Sequence, residues 1–430
     1  MSQTRPGTAL LTDQYELTMV QAALASGTAQ RRSVFELFGR RLPAGRRYGV
    51  VVGTGRLLEA LRDFSFDQQT LAFLADHAIV DDATLTWLAD YRFGGDVWGY
   101  PEGEVWFPHS PLLVVEGTFA EAVLLETLAL SIYNHDSAVA SAASRMVVAA
   151  GGRPCIEMGS RRTHEEAAVA AARAAYVTGF ATTSNLEAGR RYGIPTAGTS
   201  AHSFTLLHDS ERDAFTAQVA SLGSGTTLLV DTYDVAEAVR TAVEVAGPGL
   251  GAVRLDSGDL GALAAEVRQQ LDDLGATGTR IVVTSDLDEH AIAALAVAPV
   301  DGYGVGTQLV TGSGHPTSGL VYKLVAREGD DGGMVAVAKR SPGKDSHGGR
   351  KWAARRVEDG QATAEVVGVG ARPDDASLRD LLVPLVRDGE PVGVEHLDEA
   401  RARHARALAE LPAAATRMSR GEAVLPTVDA

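Results

Sequence analysis

The chain has 430 residues, with 39 basic and 55 acidic side chains that give a formal net charge of −16 at pH 7. This length predicts two or three domains, and the acidic balance argues against nucleic acid or an anionic membrane as a partner. A single cysteine, Cys155, excludes an intrachain disulfide, and no segment is apolar enough for a signal region or membrane span, so we expect a cytoplasmic protein.

The first part of the chain mixes short helical and strand patterns. We predict a helix from about residue 13, capped by Thr12, and further helices at 55–62, 67–77 and 81–91. Strands are predicted at 33–38, 96–100, 104–107 and 112–117. Residues 121–148 are strongly helical, and the polar sequence at 134–136 predicts a break into two helices. An α+β domain over residues 1–130 follows from these patterns.

From residue 154 strand and helix patterns alternate. The helix after the first strand is expected to begin at Thr163, with Glu166 completing a capping box. Alternation of this kind predicts a parallel sheet, and about seven units favour a barrel over an open sheet. We therefore predict an α/β fold with an irregular (β/α) barrel at 131–325, and a segment at 326–430 that packs back on the N-terminal domain. The predicted barrel strands are 155–158, 180–183, 195–198, 227–230, 252–255, 280–284 and 302–305.

Polar side chains follow the first three of these strands. Arg161 and Arg162 follow the first, Asn185 the second and His202 the third. Because the carboxyl ends of barrel strands meet at one rim, these side chains are expected to converge. Two guanidiniums, an amide and an imidazole suit an anionic ligand with a ring or carbonyl group. Alone, each would be interpreted as a surface or structural residue, so the prediction depends on convergence.

Three motifs in this region, EMGSRR, TGFATTSN and GTSAHSF, resemble in order and spacing the core of the nicotinate phosphoribosyltransferases. These are type II phosphoribosyltransferases of NAD salvage. The N-terminal sequence TDQYELTM is similar to another motif of that family. The resemblance implies that Tyr15 is carried into the neighbouring subunit's site to stack on the pyridine ring, and hence a homodimer with shared active sites.

Three carboxylates, Asp231, Asp256 and Asp286, stand at later strand ends. One alone would be interpreted as a helix cap, but three in register predict a site. Carboxylates accept hydrogen bonds from a ribose diol, suit Mg²⁺ as ligands and stabilise the oxocarbenium-like charge left when pyrophosphate departs.

The glycine-rich turn at 301–307 follows the last predicted strand. Gly304 and Gly306 let backbone N–H groups approach a phosphate, and Thr307 adds a hydroxyl. Because the last strands of such barrels commonly hold a phosphate, we assign this turn to the ribose 5-phosphate.

All four lysines of the chain fall within 29 residues, whereas the other 35 basic residues are arginine. A compact ammonium group suits polyphosphate, and the glycines at 341–350 are typical of a mobile flap. The alternative is a flexible basic loop. The four are Lys323, Lys339, Lys344 and Lys351.

The resemblance implies further roles. His202 corresponds to the histidine that ATP phosphorylates, and the phosphohistidine couples ATP hydrolysis to substrate binding and the product equilibrium. His202, Asp256 and Asp286 are the catalytic candidates, the two aspartates also being the candidates for Mg²⁺. The remaining residues are assigned by the ligand that the resemblance implies for each. Nicotinate would be bound by Tyr15, Arg161 and Asn185; phosphoribosyl pyrophosphate would be bound by Arg254, Asp231, Gly304, Gly306, Thr307 and Lys323; ATP or phosphate would be bound by Lys339 and Lys344.

The predicted reaction converts nicotinate and phosphoribosyl pyrophosphate to nicotinate mononucleotide and pyrophosphate, coupled to ATP hydrolysis. Related nicotinamide enzymes carry an aspartate at the position of Asn185, which would repel the carboxylate of nicotinate, so Asn185 favours nicotinate. The alternatives are nicotinamide phosphoribosyl transfer and a sugar-phosphate-binding barrel without catalysis. The substrates are small molecules in each case.

Overall fold

The computed structural model describes residues 7–339 and 347–430. These residues form two compact units. The sheet unit comprises the described residues up to Ala138 together with those from Thr317 onward, and the barrel unit comprises Val139–Pro316. The sequence patterns predict boundaries after residues 130 and 325. No helix in the described ranges is both long and apolar enough to cross a membrane.

The chain begins with helices and short strands in the positions that the sequence predicts. The predicted break at 134–136 is wrong, because one helix runs through it. Asp136 is buried there, and its carboxylate accepts from Arg56 at 2.7 and 2.9 Å and contacts His135 Nδ1 at 2.8 Å, so the carboxylate is satisfied without ending the helix. The elements are α1 Gln14–Ala25, β1 Arg32–Gly39, β2 Gly49–Val50, α2 Thr54–Arg62, α3 Gln68–Asp76, α4 Asp82–Ala89, β3 Asp96–Gly99, β4 Val105–Trp106, β5 Pro111–Thr118, α5 Phe119–Val123 and α6 Glu126–Ala150.

Two predicted helix caps are wrong. The residue that precedes α1 is Asp13, and the Thr12 hydroxyl instead donates to the carboxylate of Glu16. In the barrel unit the helix after the first strand begins at Glu165. Its cap is His164, whose Nδ1 accepts from the Glu166 N–H at 3.3 Å, so Thr163 forms no capping box. Both errors are local and leave the predicted helices in place.

The barrel unit alternates strands and helices. Two of its strands have the predicted bounds and the others are shorter. The elements are β6 Cys155–Glu157, α7 Glu165–Val177, β7 Thr182–Thr183, α8 Leu186–Tyr192, α9 His202–Leu207, α10 Glu211–Leu222, β8 Thr227–Leu229, α11 Val235–Ala246, β9 Ala252–Leu255, α12 Leu260–Asp273, β10 Arg280–Val283, α13 Glu289–Ala294, β11 Gly302–Val305 and α14 Thr307–Val310, with a 3₁₀ turn at Leu295–Val297.

The six barrel strands form one parallel sheet in the order β7-β6-β11-β10-β9-β8. The last strand pairs with the first, Tyr303 opposite Cys155, and a parallel bridge from Thr183 to Thr196 takes the place of the predicted strand at 195–198. This order is cyclic, as in a (β/α) barrel. Among the described residues no strand pairing joins Thr196 to β8, so the sheet is curled but open there. The predicted α/β fold is confirmed.

The C-terminal strands join the sheet that the N-terminal strands begin. A seven-stranded antiparallel sheet has the order β13-β12-β1-β5-β3-β17-β18, a second sheet has the order β16-β14-β15-β19, and β2 pairs with β4. The Phe35 and Tyr322 rings stack between β1 and β12 with centroids 5.0 Å apart. The elements are β12 Leu320–Glu328, β13 Met334–Ala336, β14 Lys351–Glu358, β15 Gln361–Val369, β16 Leu378–Asp380, β17 Val383–Arg387, β18 Glu390–Pro391, α15 Leu397–Ala409 and β19 Thr427–Asp429, with a 3₁₀ turn at Ala413–Thr416.

Two buried cations inside the sheet unit are paired with carboxylates. The Arg355 guanidinium is fully buried, donates to Glu365 at 2.7 Å and lies 3.5 Å from Glu104. The Lys351 ammonium is also buried and donates to Glu36 at 2.7 Å. Because an unpaired buried charge is strongly destabilising, each partner depends on the other for its place in the core.

Candidate active site

A cavity of about 220 Å³ opens at the carboxyl ends of β6, β9, β10 and β11. It brings together eight residues that the sequence analysis names for a site, from four separate strand ends. Two are the arginines of the turn after β6, three are charged residues of β9 and of the turns after β9 and β10, and three belong to the glycine-rich turn. The lining consists of Met158, Arg161, Arg162, Arg254, Asp256, Thr284, Ser285, Asp286, Gly304, Gly306 and Thr307.

A second cavity of about 240 Å³ shares Met158, Arg161 and Arg254 with the first. Ser184 and the loop 197–201 line its other side, together with Thr227 and the strand residues Ile156 and Val282. The shared residues place the two cavities side by side. Arg161 and Arg254 therefore face ligand space on both sides.

Arg254 is the central cation of this arrangement. Its Nε atom is buried and has no hydrogen-bond partner among the described residues. Burial lowers the pKa of Arg254, whereas nearby Asp256 and Asp231 raise it. Other arginines of the described residues also have an Nε atom without a hydrogen-bond partner, so it is the position of Arg254 on both cavities that suits an anionic or carbonyl ligand.

Asp256 and Asp231 differ in what their carboxylates contact. The Asp256 side chain is 38% exposed, lines the first cavity and accepts from the Thr284 hydroxyl. Asp231 is 2% exposed, lines neither cavity, and accepts from the Asp256 N–H at 2.9 Å and the Ser257 hydroxyl at 2.7 Å. Asp231 thus holds the turn that presents Asp256, and its predicted contact with phosphoribosyl pyrophosphate stays a prediction.

His202 lies beside these carboxylates at the start of α9. Its Nε2 atom is 3.8 Å from Asp256 Oδ2 and 4.0 Å from Asp231 Oδ1, and its Nδ1 atom is 3.2 Å from the Thr232 hydroxyl. The side chain is 40% exposed. An accessible imidazole whose two nitrogens have different polar neighbours is oriented for proton or group transfer.

The turns after β10 and β11 are tightly built. A Cβ on Gly304 would lie 2.4 Å from Thr284 Cγ2 and 2.7 Å from Met158 Sδ, so only glycine fits there. The Thr307 hydroxyl donates to Asp286 at 3.2 Å. Ser285 has a φ of +134°, a strained backbone conformation for a residue with a side chain. Strain at a cavity wall is frequent where a fold holds functional groups in a fixed geometry.

Asn185 lies at the start of α8. Its Oδ1 atom caps the helix by accepting from the Ala188 N–H at 2.8 Å, and its Nδ2 donates to the Ser160 hydroxyl at 3.0 Å. Asn185 is absent from the linings of both cavities. Its polar atoms are therefore engaged in ordering the rim, and its predicted contact with nicotinate stays a prediction.

The other predicted residues belong to the sheet unit. The Tyr15 ring on α1 is 45% exposed, and burial of its hydroxyl, reinforced by Glu126 and Glu16, raises the pKa of Tyr15 to about 12. Lys323 on β12 lies 3.5 Å from the same Glu126, so this glutamate is close to both residues. Lys339 is exposed. Lys344, and with it most of the predicted flap, lies outside the described residues.

Several hydroxyl and acidic residues that organise the site escape sequence analysis. The Thr232 hydroxyl contacts His202, and the Thr284 hydroxyl donates to Asp256. The Glu157 carboxyl group accepts from the turn that carries Arg161. The available signal was the position of each directly at a predicted strand end. Hydroxyls and buried acids at such positions are common, however, so the pattern alone does not separate them from ordinary turn residues.

Two carboxylates of the first cavity are the candidates for holding Mg²⁺. Within residues 7–339 and 347–430 no group of three or more His, Cys, Asp or Glu side chains is placed to hold a metal ion. Mg²⁺ in phosphate-transfer sites is usually held by one or two carboxylates together with substrate phosphates and water. Asp256 and Asp286 line one cavity and supply such oxygens, so this donor set fits Mg²⁺.

Together, the curled parallel sheet and the charged strand-end cavities define a (β/α)-barrel protein with a site for anionic ligands. Two family models match the chain: the nicotinate phosphoribosyltransferase N-terminal domain over residues 10–134 and the nicotinate phosphoribosyltransferase family over residues 154–351. The chain belongs to the nicotinate phosphoribosyltransferase family.

Individual relatives agree with this assignment. The chain is 59% identical over 429 residues to nicotinate phosphoribosyltransferase pncB1 of Mycobacterium tuberculosis, covering 97% of this chain and 94% of the relative. It is 37% identical over 368 residues to the Bacillus subtilis nicotinate phosphoribosyltransferase, covering 83% and 74%. The crystal structure of human nicotinic acid phosphoribosyltransferase matches with a TM-score of 0.84 at 27% identity, over 98% of this chain and 97% of that one.

Proposed function

We propose that the protein makes nicotinate mononucleotide and pyrophosphate from nicotinate and phosphoribosyl pyrophosphate, for NAD salvage. The observation that carries this proposal is the cavity in which Arg161, Arg254, two carboxylates and the glycine-rich turn meet, in a chain of this family. Such a cavity has cationic groups for the anionic parts of both substrates and carboxylates for the sugar between them.

In the proposed reaction the pyridine nitrogen of nicotinate forms a bond to the anomeric carbon of the ribose. The bond from that carbon to the pyrophosphate oxygen breaks, and its electron pair leaves with pyrophosphate. Arg161 pairs with the nicotinate carboxylate, and Asp256 and Asp286 stabilise positive charge that develops on the sugar. Gly304, Gly306 and Thr307 hold the 5-phosphate, and Arg254 with Lys323 neutralises pyrophosphate.

When bound, Mg²⁺ would offset the charge of pyrophosphate, with Asp256 and Asp286 as its protein ligands. The two carboxylates keep defined orientations, because each accepts a hydrogen bond from a threonine: Thr284 for Asp256 and Thr307 for Asp286. These hydroxyls hold the two carboxylates in place at the cavity wall.

ATP coupling is part of the proposal. His202 attacks the γ-phosphorus of ATP, the bond to the bridging oxygen breaks, and ADP leaves. Its exposure and its neighbours support this role, because the side chain is 40% exposed and Nδ1 lies 3.2 Å from the Thr232 hydroxyl, with the two carboxylates on the Nε2 side. Later hydrolysis of the phosphohistidine would drive product formation. Lys339 and Lys344 are proposed contacts to ATP or phosphate.

The test is product formation from nicotinate or nicotinamide, each with and without ATP, by the wild type and by His202→Ala. We expect nicotinate mononucleotide as the main product, with ATP stimulation in the wild type that is lost in His202→Ala. Faster turnover of nicotinamide would favour the alternative base. If the protein releases no pyrophosphate with nicotinate and none with nicotinamide, the proposed reaction is overturned.

We further propose a homodimer in which Tyr15 of one copy completes the nicotinate site of the other. The partly exposed Tyr15 ring, anchored at its hydroxyl end near Glu126, supports this arrangement. Co-expression of Tyr15→Ala with Asp256→Asn gives mixed dimers in which one of the two sites receives both intact residues. Each mixed dimer is then expected to have about half of wild-type activity, and a randomly assorted population about a quarter, whereas unshared sites give no recovery.

A further inference from the structure

Glu157 is the last residue of β6 and its side chain is fully buried, directly below the turn that carries Arg161. One carboxyl oxygen, Oε1, accepts from the Gly159 N–H at 2.5 Å. The other, Oε2, accepts from the hydroxyl of Thr183, which belongs to the neighbouring strand β7. Both oxygens are therefore used within the protein, and neither faces a ligand.

The hydrogen bonds continue from Thr183 back to the first turn. Thr183 Oγ1 accepts from the Asn185 N–H at 2.9 Å, and Asn185 Nδ2 donates to the Ser160 hydroxyl at 3.0 Å. The Ser184 N–H also donates to the Glu157 carbonyl at 2.8 Å. These bonds form a closed ring, here named the Glu157 brace, that joins the turns after β6 and β7.

The Glu157 brace lies behind two walls of ligand space. Arg161, one residue beyond Ser160, lines both cavities, and Ser184 lines the second. The turn has little freedom to adjust, because a Cβ on Gly159 would lie 2.2 Å from Val310 Cγ1. A change at Glu157 is thus transmitted to the position of Arg161 relative to Ser184.

We infer that Glu157 is a positioning residue for recognition of the base, holding the Arg161 turn at the distance from the β7 turn that accepts a pyridine carboxylate. The inference rests on the proposed function, in which Arg161 pairs with nicotinate. It extends that function, because selectivity between nicotinate and nicotinamide then depends on a buried residue that contacts neither. Burial raises the pKa of Glu157, which agrees with a structural, non-ion-paired carboxyl group.

The decisive variants are Glu157→Leu, which removes both hydrogen bonds, and Glu157→Gln. The glutamine amide oxygen accepts from Gly159 and its NH₂ donates to Thr183, so it can rebuild the brace. We expect Glu157→Leu to raise the KM for nicotinate on the order of tenfold and to lower the nicotinate-to-nicotinamide ratio of kcat/KM by a similar factor. The KM for phosphoribosyl pyrophosphate stays within about twofold, and Glu157→Gln returns the nicotinate KM to within about threefold of wild type.

Thr183→Val is a milder second variant should Glu157→Leu fold poorly, and is expected to shift the same two quantities by about threefold. The matched control is Glu289→Gln. Glu289 is a buried carboxylate of the same unit that bonds to Arg145 and Ser313 at 3.0 and 2.7 Å and lines neither cavity. Its variant is expected to lower the unfolding midpoint without changing either KM.

If the nicotinate KM and the base selectivity are unchanged in both Glu157→Leu and Thr183→Val, the inference is overturned, whereas the proposed function is not affected. The inference would also be overturned if the KM values for nicotinate and phosphoribosyl pyrophosphate rose in parallel and in proportion to the loss in unfolding midpoint. Absence of nicotinate mononucleotide formation by the wild type would overturn the proposed function, and the inference with it.

Discussion

The two units of the molecule use charged side chains in opposite ways. In the sheet unit Arg355 is fully buried, its Nη2 atom donates to Glu365, and its guanidinium packs over the Phe107 ring at 5.5 Å. Both Arg355 and Arg254 keep an Nε atom without a hydrogen-bond partner among the described residues, but Arg254 of the barrel unit lines two cavities, and Asp286 is exposed at a strand end. Paired charges hold the fold together, whereas charges left unsatisfied at a cavity are available to a ligand.

Whether a charged side chain is paired depends on where it lies within a unit, and not only on which unit contains it. Arg145 and Glu289 of the barrel unit are both 4% exposed and bonded at 3.0 Å, away from the cavities. The barrel therefore also pairs charges in its interior, although Glu157 is buried there with hydrogen bonds and no cation among the described residues. At the strand ends it leaves charged side chains open to the cavities, which is where barrels of this kind place their chemistry.

The largest expected effect comes from neutralising a strand-end carboxylate. Asp256→Asn is expected to lower turnover by a hundredfold to roughly a thousandfold, because charge that develops on the sugar loses its stabilising anion. Its unfolding free energy is expected to change by less than about 0.5 kcal/mol. Steady-state kinetics and urea unfolding measure the two quantities. The control is Asp272→Asn, a carboxylate on α12 that bonds to Arg268 outside the cavities and is expected to change neither.

The second prediction concerns the buried ion pair between Lys351 and Glu36 in the sheet unit. Lys351→Met leaves the Glu36 carboxylate buried without its ammonium partner and is expected to lower the unfolding free energy by about 3 kcal/mol. Turnover per folded molecule is expected to remain near wild type. The double variant Glu36→Leu, Lys351→Met removes both charges and should recover part of the stability. Loss of turnover at unchanged stability would instead place Lys351 among phosphate contacts.

A smaller effect is expected from pH. His404 on α15 is 3% exposed, and burial lowers the pKa of His404 to about 4. Between that value and the ordinary value of 6.5, the unfolded chain binds the proton that the folded protein excludes, so stability falls as pH falls through this range. The contribution amounts to about 2 kcal/mol between pH 7 and pH 5.

His404→Gln should reduce this slope, because glutamine can still donate to the Gly103 carbonyl but has no titrating ring. The measurement is the unfolding free energy of wild type and variant at pH 5, 6 and 7. His396→Gln, which changes an exposed histidine at the start of the same helix, provides the control. Equal slopes in wild type and His404→Gln would contradict the role of burial.

Much of this architecture could be predicted from sequence, for physical reasons. The barrel strands β9 and β11 have the predicted bounds, because short apolar runs between turn residues are a strong signal. The meeting of Arg161 and Arg162 with Asp256 and Asp286 in one cavity followed from the geometry of parallel strands. Arg254 was assigned by the family resemblance, and Asn185 and His202, which were expected to converge with the arginines, line neither cavity. The prediction of a helix break at 134–136 was wrong, because Asp136 is buried beside Arg56. This is a tertiary contact, and local helix propensity gives no information about it.

The finer structure of the site was beyond sequence analysis for a similar reason. Asp231 and Asp256 occupy equivalent strand ends, yet one supports a turn and the other lines the cavity. Glu157 reads in the sequence as a polar residue that ends a strand, and only the fold brings Thr183 to it. Hydrogen-bond partners across neighbouring strands depend on register and side-chain direction, which residue spacing does not specify.

The contrast between the units is tested most directly by a matched pair of substitutions, Arg254→Met and Arg355→Met, with turnover and unfolding free energy measured on both. Arg254→Met is expected to lower turnover by at least about a hundredfold and to change stability by less than about 1 kcal/mol. Arg355→Met is expected to lose about 3 kcal/mol or more of stability while its folded fraction keeps near-normal turnover. Equal losses of stability in both variants, or full turnover in Arg254→Met, would contradict the assignment of the strand-end charges to ligand binding.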